Sequence, residues 1–129
     1  MLLEFTCSNV RSIRDAVKLD LRANTDDTFE NNLLRFENER VHPACAIYGS
    51  NATGKTSVLT GMAIMQTMVT TSHLLQPGDL LPRTPHRLSQ DKPTEYQMEF
   101  VWKKLRYIYK FSYDNQKIIK EFLFYAPNG

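Results

Sequence analysis

The chain has 129 residues, a mass of 15.0 kDa and a formal net charge of +2, with 42% hydrophobic and 23% charged residues. These values fit one ordinary folded domain and exclude collagen-like, coiled-coil and disordered classes. No apolar run approaches the ~18–20 residues of a membrane span, and residues 1–6 lack the basic region and cleavage site of a signal peptide, so a cytoplasmic protein with no membrane contact is expected.

Residues 2–7 alternate, with Leu3, Phe5 and Cys7 on one side and Glu4 and Thr6 on the other. Residues 16–22 alternate again, Val17, Leu19 and Leu21 against Lys18, Asp20 and Arg22. Period two on both sides of the polar stretch 9–15 predicts an antiparallel strand pair. Residues 23–42 are polar, and Leu33, Leu34 and Phe36 suggest a short helical anchor within them. The short apolar run Ala44-Cys45-Ala46-Ile47-Tyr48 predicts a buried strand covered on both faces. Cys7 and Cys45 show no metal spacing and are expected to be free, buried thiols. The histidines, His42, His73 and His86, are dispersed and suggest no metal site.

From Lys55 the period changes. Val58, Leu59, Met62, Met65, Met68 and Val69 recur at three- and four-residue steps, which predicts a helix over 55–75, stopped by Gln76-Pro77-Gly78. Four of the six prolines fall in 76–94, which is expected to be irregular. The last third, 95–125, predicts a β-meander. A two-residue turn at Lys103-Lys104 puts Phe100 opposite Tyr107, Met98 opposite Tyr109 and Tyr96 opposite Phe111, with Val101–Arg106, Glu99–Ile108 and Gln97–Lys110 on the other face. A second turn at Asn115-Gln116 pairs Asp114 with Lys117, Lys110 with Glu121 and Tyr109 with Phe122, but leaves Lys120 facing Phe111. Tyr107, Tyr109, Phe111 and Tyr113 alternate with Arg106 and Lys110, a pattern also found on single-strand-binding sheets; the shared face with Phe100 and Met98 favours a core role. Residues 103–120 hold six basic side chains against one acid, Asp114.

Gly49-Ser50-Asn51-Ala52-Thr53-Gly54-Lys55-Thr56 matches G-x-x-x-x-G-K-[ST] between a predicted strand and a predicted helix, the setting a phosphate-binding loop requires. Gly49 and Gly54 admit dihedrals that side chains forbid. The amides across Ser50, Asn51, Ala52 and Thr53 can then form a concave nest for anionic oxygens, next to a helix N-terminus whose Ser57 completes the candidate set. Lys55 supplies a point charge for terminal phosphates, and the Thr56 hydroxyl is a hard ligand for Mg²⁺.

Asn51 makes the loop Gly-x-Asn-x-x-Gly-Lys-Thr, which resembles that of ABC-type ATPases. The opening, with Asn9-x-Arg11-Ser12-Ile13 between two strands, Leu21-Arg22-Ala23, and Ala46-Ile47-Tyr48-Gly49, is similar to the start of RecF/SMC-like and OLD-like AAA ATPases, several of them linked to phage defence. The meander, with Tyr107-x-Tyr109-x-Phe111 and Ile119-x-Glu121-x-Leu123, fits the same group. The resemblance covers the chain and only the amino-terminal portion of the family. It implies an α/β P-loop NTPase head in part: a nucleotide-binding lobe over 1–75, a Pro-rich segment over 76–94 and the meander. It also implies ATP with Mg²⁺ as ligand, Asn9, Arg11 and Ser12 beside the nucleotide, and a Mg²⁺-directed glutamine, for which Gln90 and Gln97 are the candidates.

Hydrolysis in that family needs a strand ending in acidic residues and a Leu-Ser-Gly-Gly type signature. Phe122-Leu123-Phe124-Tyr125 runs into Ala-Pro-Asn-Gly, and Leu88-Ser89-Gln90-Asp91 lacks the glycines. The expectation is therefore nucleotide binding without turnover by this chain alone. The chain is expected to be a piece of a longer ATPase, or a module completed by a second polypeptide or a second copy. Nucleic acid would be met through the complete machine, in DNA maintenance or phage defence. The alternatives are a nucleic-acid or protein-interaction module with a vestigial loop, and a kinase or GTPase, for which no further motif is present.

Overall fold

The computed structural model describes residues 1–25 and 28–126. β1 (Leu2–Ser8) and β2 (Val17–Asp20) pair antiparallel, with Cys7 opposite Val17 and Phe5 opposite Leu19. β3 (Leu34–Phe36) and β4 (Glu39–Val41) form a separate hairpin. α1 spans Lys55–Thr71, and β5 (Thr94–Trp102), β6 (Leu105–Tyr113) and β7 (Ile118–Ala126) complete a five-stranded antiparallel sheet of order β2-β1-β5-β6-β7. The architecture is α/β, with one α-helix among the described residues laid on one face of the sheet. No helix among the described residues is long and apolar enough to cross a membrane.

The β5–β6 register is the expected one throughout, from Tyr96–Phe111 to Val101–Arg106. Lys103 and Lys104 both adopt positive φ, 48° and 64°, as a two-residue turn twisted like its strands requires. The turn at 115–116 also forms, with the Asp114 carboxylate accepting the amides of Gln116 and Lys117 at 2.8 and 2.9 Å. Beyond it, an irregularity between Ser112 and Tyr113 shifts β7 by one residue, so Tyr109 meets Leu123 and Lys110 meets Phe122. The shift resolves the misplaced lysine: Lys120 now lies opposite Ser112, and the Tyr109 hydroxyl donates to Glu121 at 2.6 Å. The expected Lys110–Glu121 pair is lost, and Lys110 lies instead 3.8 Å from Glu95.

Helix and sheet meet along Val58, Gly61, Met65 and Met68, steps of three and four that place one stripe on the sheet. A Cβ on Gly61 would come within 3.4 Å of Cys7 Sγ and 3.5 Å of Tyr96 Cε1, so glycine lets the two layers approach closely. Phe5, Tyr96, Phe111 and Tyr113 fill the sheet side of this core. Leu59 and Val69, expected on the apolar face, flank the stripe and remain exposed. The helix ends four residues before the expected limit, giving way to a 3₁₀ turn at Ser72–Leu74.

Two further expectations are corrected. Residues 33–36 are not helical: a 3₁₀ turn occupies Glu30–Asn32, and Leu34 and Phe36 belong to the β3–β4 hairpin. Residues 44–48 form no strand, and 42–50 are exposed, with Tyr48 at 90%. A parallel strand needs neighbours for its backbone groups, and no strand lies beside this stretch among the described residues. Cys45 lies in that stretch and is exposed, whereas Cys7 is buried and its thiol is pushed up to about 11 by desolvation. Both are free.

A charge cluster ties the hairpin to the sheet. Arg22 reaches Glu4 (3.4 Å), Asp20 (3.1 Å), Glu39 (2.6 Å) and Glu99 (2.6 Å), and Arg106 reaches Glu39 (3.1 Å) and Glu99. The backbone joins in, with Ala23 N donating to Arg40 O and His42 N to Leu21 O. These ties fix where the chain departs toward residues 49–54.

Candidate functional site

The loop and the start of α1 form one wall of an open cleft of about 910 Å³. Two glycines shape the loop. A Cβ on Gly49 would lie 2.8 Å from Thr53 Oγ1, and Gly54 adopts φ +92° as the helix cap. No side chain caps α1 among the described residues, so the amides of Lys55 and Thr56 stay available to a ligand, while Ser57 N donates to Gly54 O at 3.0 Å. Thr53 Oγ1 donates to Ser50 O at 2.7 Å. Lys55 Nζ folds over the loop, donating to Gly49 O at 2.6 Å and to Ser50 O.

The cleft is lined by residues 51–57, by Arg11 and Ser12, and by residues 84–87. Thus Asn51, Ala52, Thr53, Gly54, Lys55, Thr56 and Ser57 are brought together with two of the three residues expected beside a nucleotide. Ser12 Oγ lies 2.7 Å from Ser57 Oγ, and the Arg11 guanidinium bonds Thr60 Oγ1 at 3.3 Å. Arg11 and Ala52 have φ 51° and 65°. Left-handed backbone at non-glycine residues is costly and concentrates at functional sites.

Asn9 is the exception. It is 3% exposed, and its side chain is committed to the segment after the helix. Nδ2 lies 2.8 Å from the carbonyls of Ser89 and Lys92 and 3.1 Å from that of Pro93, while Oδ1 accepts His86 N at 2.9 Å. Its role here is to hold the far wall, not to face the cleft. Asn9→Ala is expected to cost about 2 kcal/mol, because buried carbonyls lose their donors. Asn9→Gly, which relieves the φ of 56° but not the lost bonds, should recover under half of that in urea unfolding.

The charge of the cleft is one-sided. Lys55, Arg11 and Arg87 line it together with His86, and no Asp or Glu does among the described residues. The described residues also hold no cluster of histidine, cysteine or acidic side chains fit for a metal. Gln97 sits mid-strand between Thr6 and Lys110, and exposed Gln90 reaches back toward Arg87 O at 3.4 Å; neither lines the cleft. Residues 84–87 were not foreseen as site residues, and the basic Arg87 after two prolines was the only local sign.

Elsewhere, Phe111 and Tyr113 are buried in the core, and Arg106 is held by two carboxylates, so the basic aromatic strand offers little free surface for stacking bases. No protein-family model, no curated protein and no solved structure matches the chain. Fold and cleft together define an α/β protein with a cation-lined cleft at a loop-to-helix junction, free of acidic side chains among the described residues.

Proposed function

We propose that the chain binds a Mg²⁺-nucleoside triphosphate, ATP in the first instance, in this cleft, as the nucleotide-gripping part of an ABC/AAA-type ATPase of the RecF/SMC-like or OLD-like kind. The observation that carries the reading is the convergence of a glycine-bounded loop, an uncapped helix start and the Lys55 ammonium on a cleft without a described carboxylate. Such a surface is complementary to a polyanion. Thr56, at the first turn of α1, offers a hard hydroxyl oxygen, and phosphate and water would supply the other ligands of a Mg²⁺. The metal, when bound, neutralises phosphate charge.

The same absence of described acids in the cleft supports binding without turnover by this chain alone. Calorimetry with Mg-ATP is expected to give saturable one-to-one binding, and a phosphate-release assay no hydrolysis above background. Hydrolysis that depends on Lys55 would refute the second statement; no saturable binding would refute the first. A partner that completes the reaction remains part of the proposal, and the apolar edge strand β7, where Phe122, Leu123, Phe124 and Tyr125 are all exposed, is the kind of surface a second polypeptide covers.

A further inference from the structure

We infer that residues 84–87 grip the nucleoside end of the ligand, with the Arg87 guanidinium stacking on the base. The inference rests on the nucleotide reading of the cleft. Phosphates need only the loop, the helix start and Lys55. The cleft, at about 910 Å³, lies in the upper part of the range for pockets that enclose whole small molecules, roughly 300–1,000 Å³. The remaining wall therefore faces something other than phosphate.

That wall has no regular structure, yet its shape is fixed from several sides. Arg11 N donates to Thr84 O at 2.7 Å, His86 N to Asn9 Oδ1, and Leu88 N to His86 Nδ1 at 3.2 Å. Just before it, the Tyr113 hydroxyl donates to Pro82 O at 2.7 Å, and Arg83 is pinned by Thr94, Gln90, Asn115 and Lys92. A wall tied in advance loses little freedom on binding. Its chemistry suits a flat, polarisable partner: the ring of Pro85, the imidazole of His86 and the guanidinium of Arg87. Among the described residues Arg87 has no side-chain hydrogen bond or ion pair, unlike Arg22, Arg83 and Arg106, and it is exposed. A planar guanidinium stacks flat on aromatic faces, whereas a lysine ammonium meets them only as a point charge.

The test compares Mg-ATP with magnesium tripolyphosphate, which has the charge but no nucleoside, by calorimetry on the full chain at fixed ionic strength. Wild type should bind ATP at least tenfold tighter than tripolyphosphate. Arg87→Ala should bring ATP to within threefold of tripolyphosphate and leave tripolyphosphate within twofold of wild type. Arg87→Lys should behave like Arg87→Ala. Equal affinities in wild type, equal loss of both ligands in Arg87→Ala, or rescue by lysine would each overturn the stacking role while leaving the phosphate site standing. If wild type binds neither ligand, the nucleotide reading falls and this inference falls with it.

Discussion

Lys55→Ala is expected to lower Mg-ATP affinity by 100-fold or more in calorimetry while leaving the thermal midpoint of the free protein unchanged. The two halves of this result have different causes. Lys55 is the cation held over the loop itself, bonded to the carbonyls of Gly49 and Ser50. A phosphate in the loop competes for the same ammonium, and a hydrogen bond to a charged group contributes about 1.5–3 kcal/mol. At 1.4 kcal/mol per tenfold, two such bonds account for the loss. Stability should be spared because the bonds Lys55 makes to the loop are exposed ones, worth little. Unchanged affinity would sink the assignment of the loop as a phosphate site. A falling midpoint would show instead that Lys55 organises the loop rather than the ligand.

The second large effect concerns stability. Arg22→Ala should cost about 3–4 kcal/mol in urea unfolding at neutral pH, a large fraction of the ~5–15 kcal/mol that holds a domain folded. Glu4 and Glu99 are paired across β1 and β5, and both are nearly buried. Removing the guanidinium between them leaves like charges facing each other in a poorly solvated place, and stripping one partner from a buried ion pair costs ~3–5 kcal/mol. Lys18 on Glu4 and Arg106 on Glu99 and Glu39 moderate the loss toward the lower end.

The pH dependence follows from Glu99. Burial raises the pKa of its carboxyl, but the hydrogen bonds and charges of Arg22 and Arg106 outweigh that and hold it below its ordinary 4.5. A carboxyl depressed in the folded state contributes stability above its unfolded pKa and loses it as pH falls through the folded value. The gap between wild type and Arg22→Ala should therefore be full above pH ~4.5 and narrow below it. A gap independent of pH would show that the arginine acts by packing alone.

Local rules reached some elements and missed others. The β5–β6 hairpin was legible because its register depends on one turn and on alternating side chains within twenty residues. The onset of α1 at Lys55 was legible because Gly54 and the change of period mark it together. The β6–β7 pair was legible as a hairpin but not in its final register, because a single irregularity at Ser112 displaces every later partner, and only the placement of Lys120 hinted at it. The strand expected at 44–48 failed for the opposite reason. Its residues suit a strand, but strand formation depends on neighbours elsewhere in the chain, and none is described beside it.

The candidate site divides along the same line. By itself the sequence determined the loop, its two glycines, Lys55 and Thr56, because the proposed phosphate cradle is written in eight consecutive residues and the helix they open. Only the tertiary structure decided the other wall. Asn9 binds residues 77 to 84 positions away and so leaves the ligand set, while the same bonds carry Pro85, His86 and Arg87 to the cleft. No local propensity encodes those bonds. They form because a buried amide must find partners wherever folding brings them, and here that requirement shapes the wall facing the glycine-bounded loop.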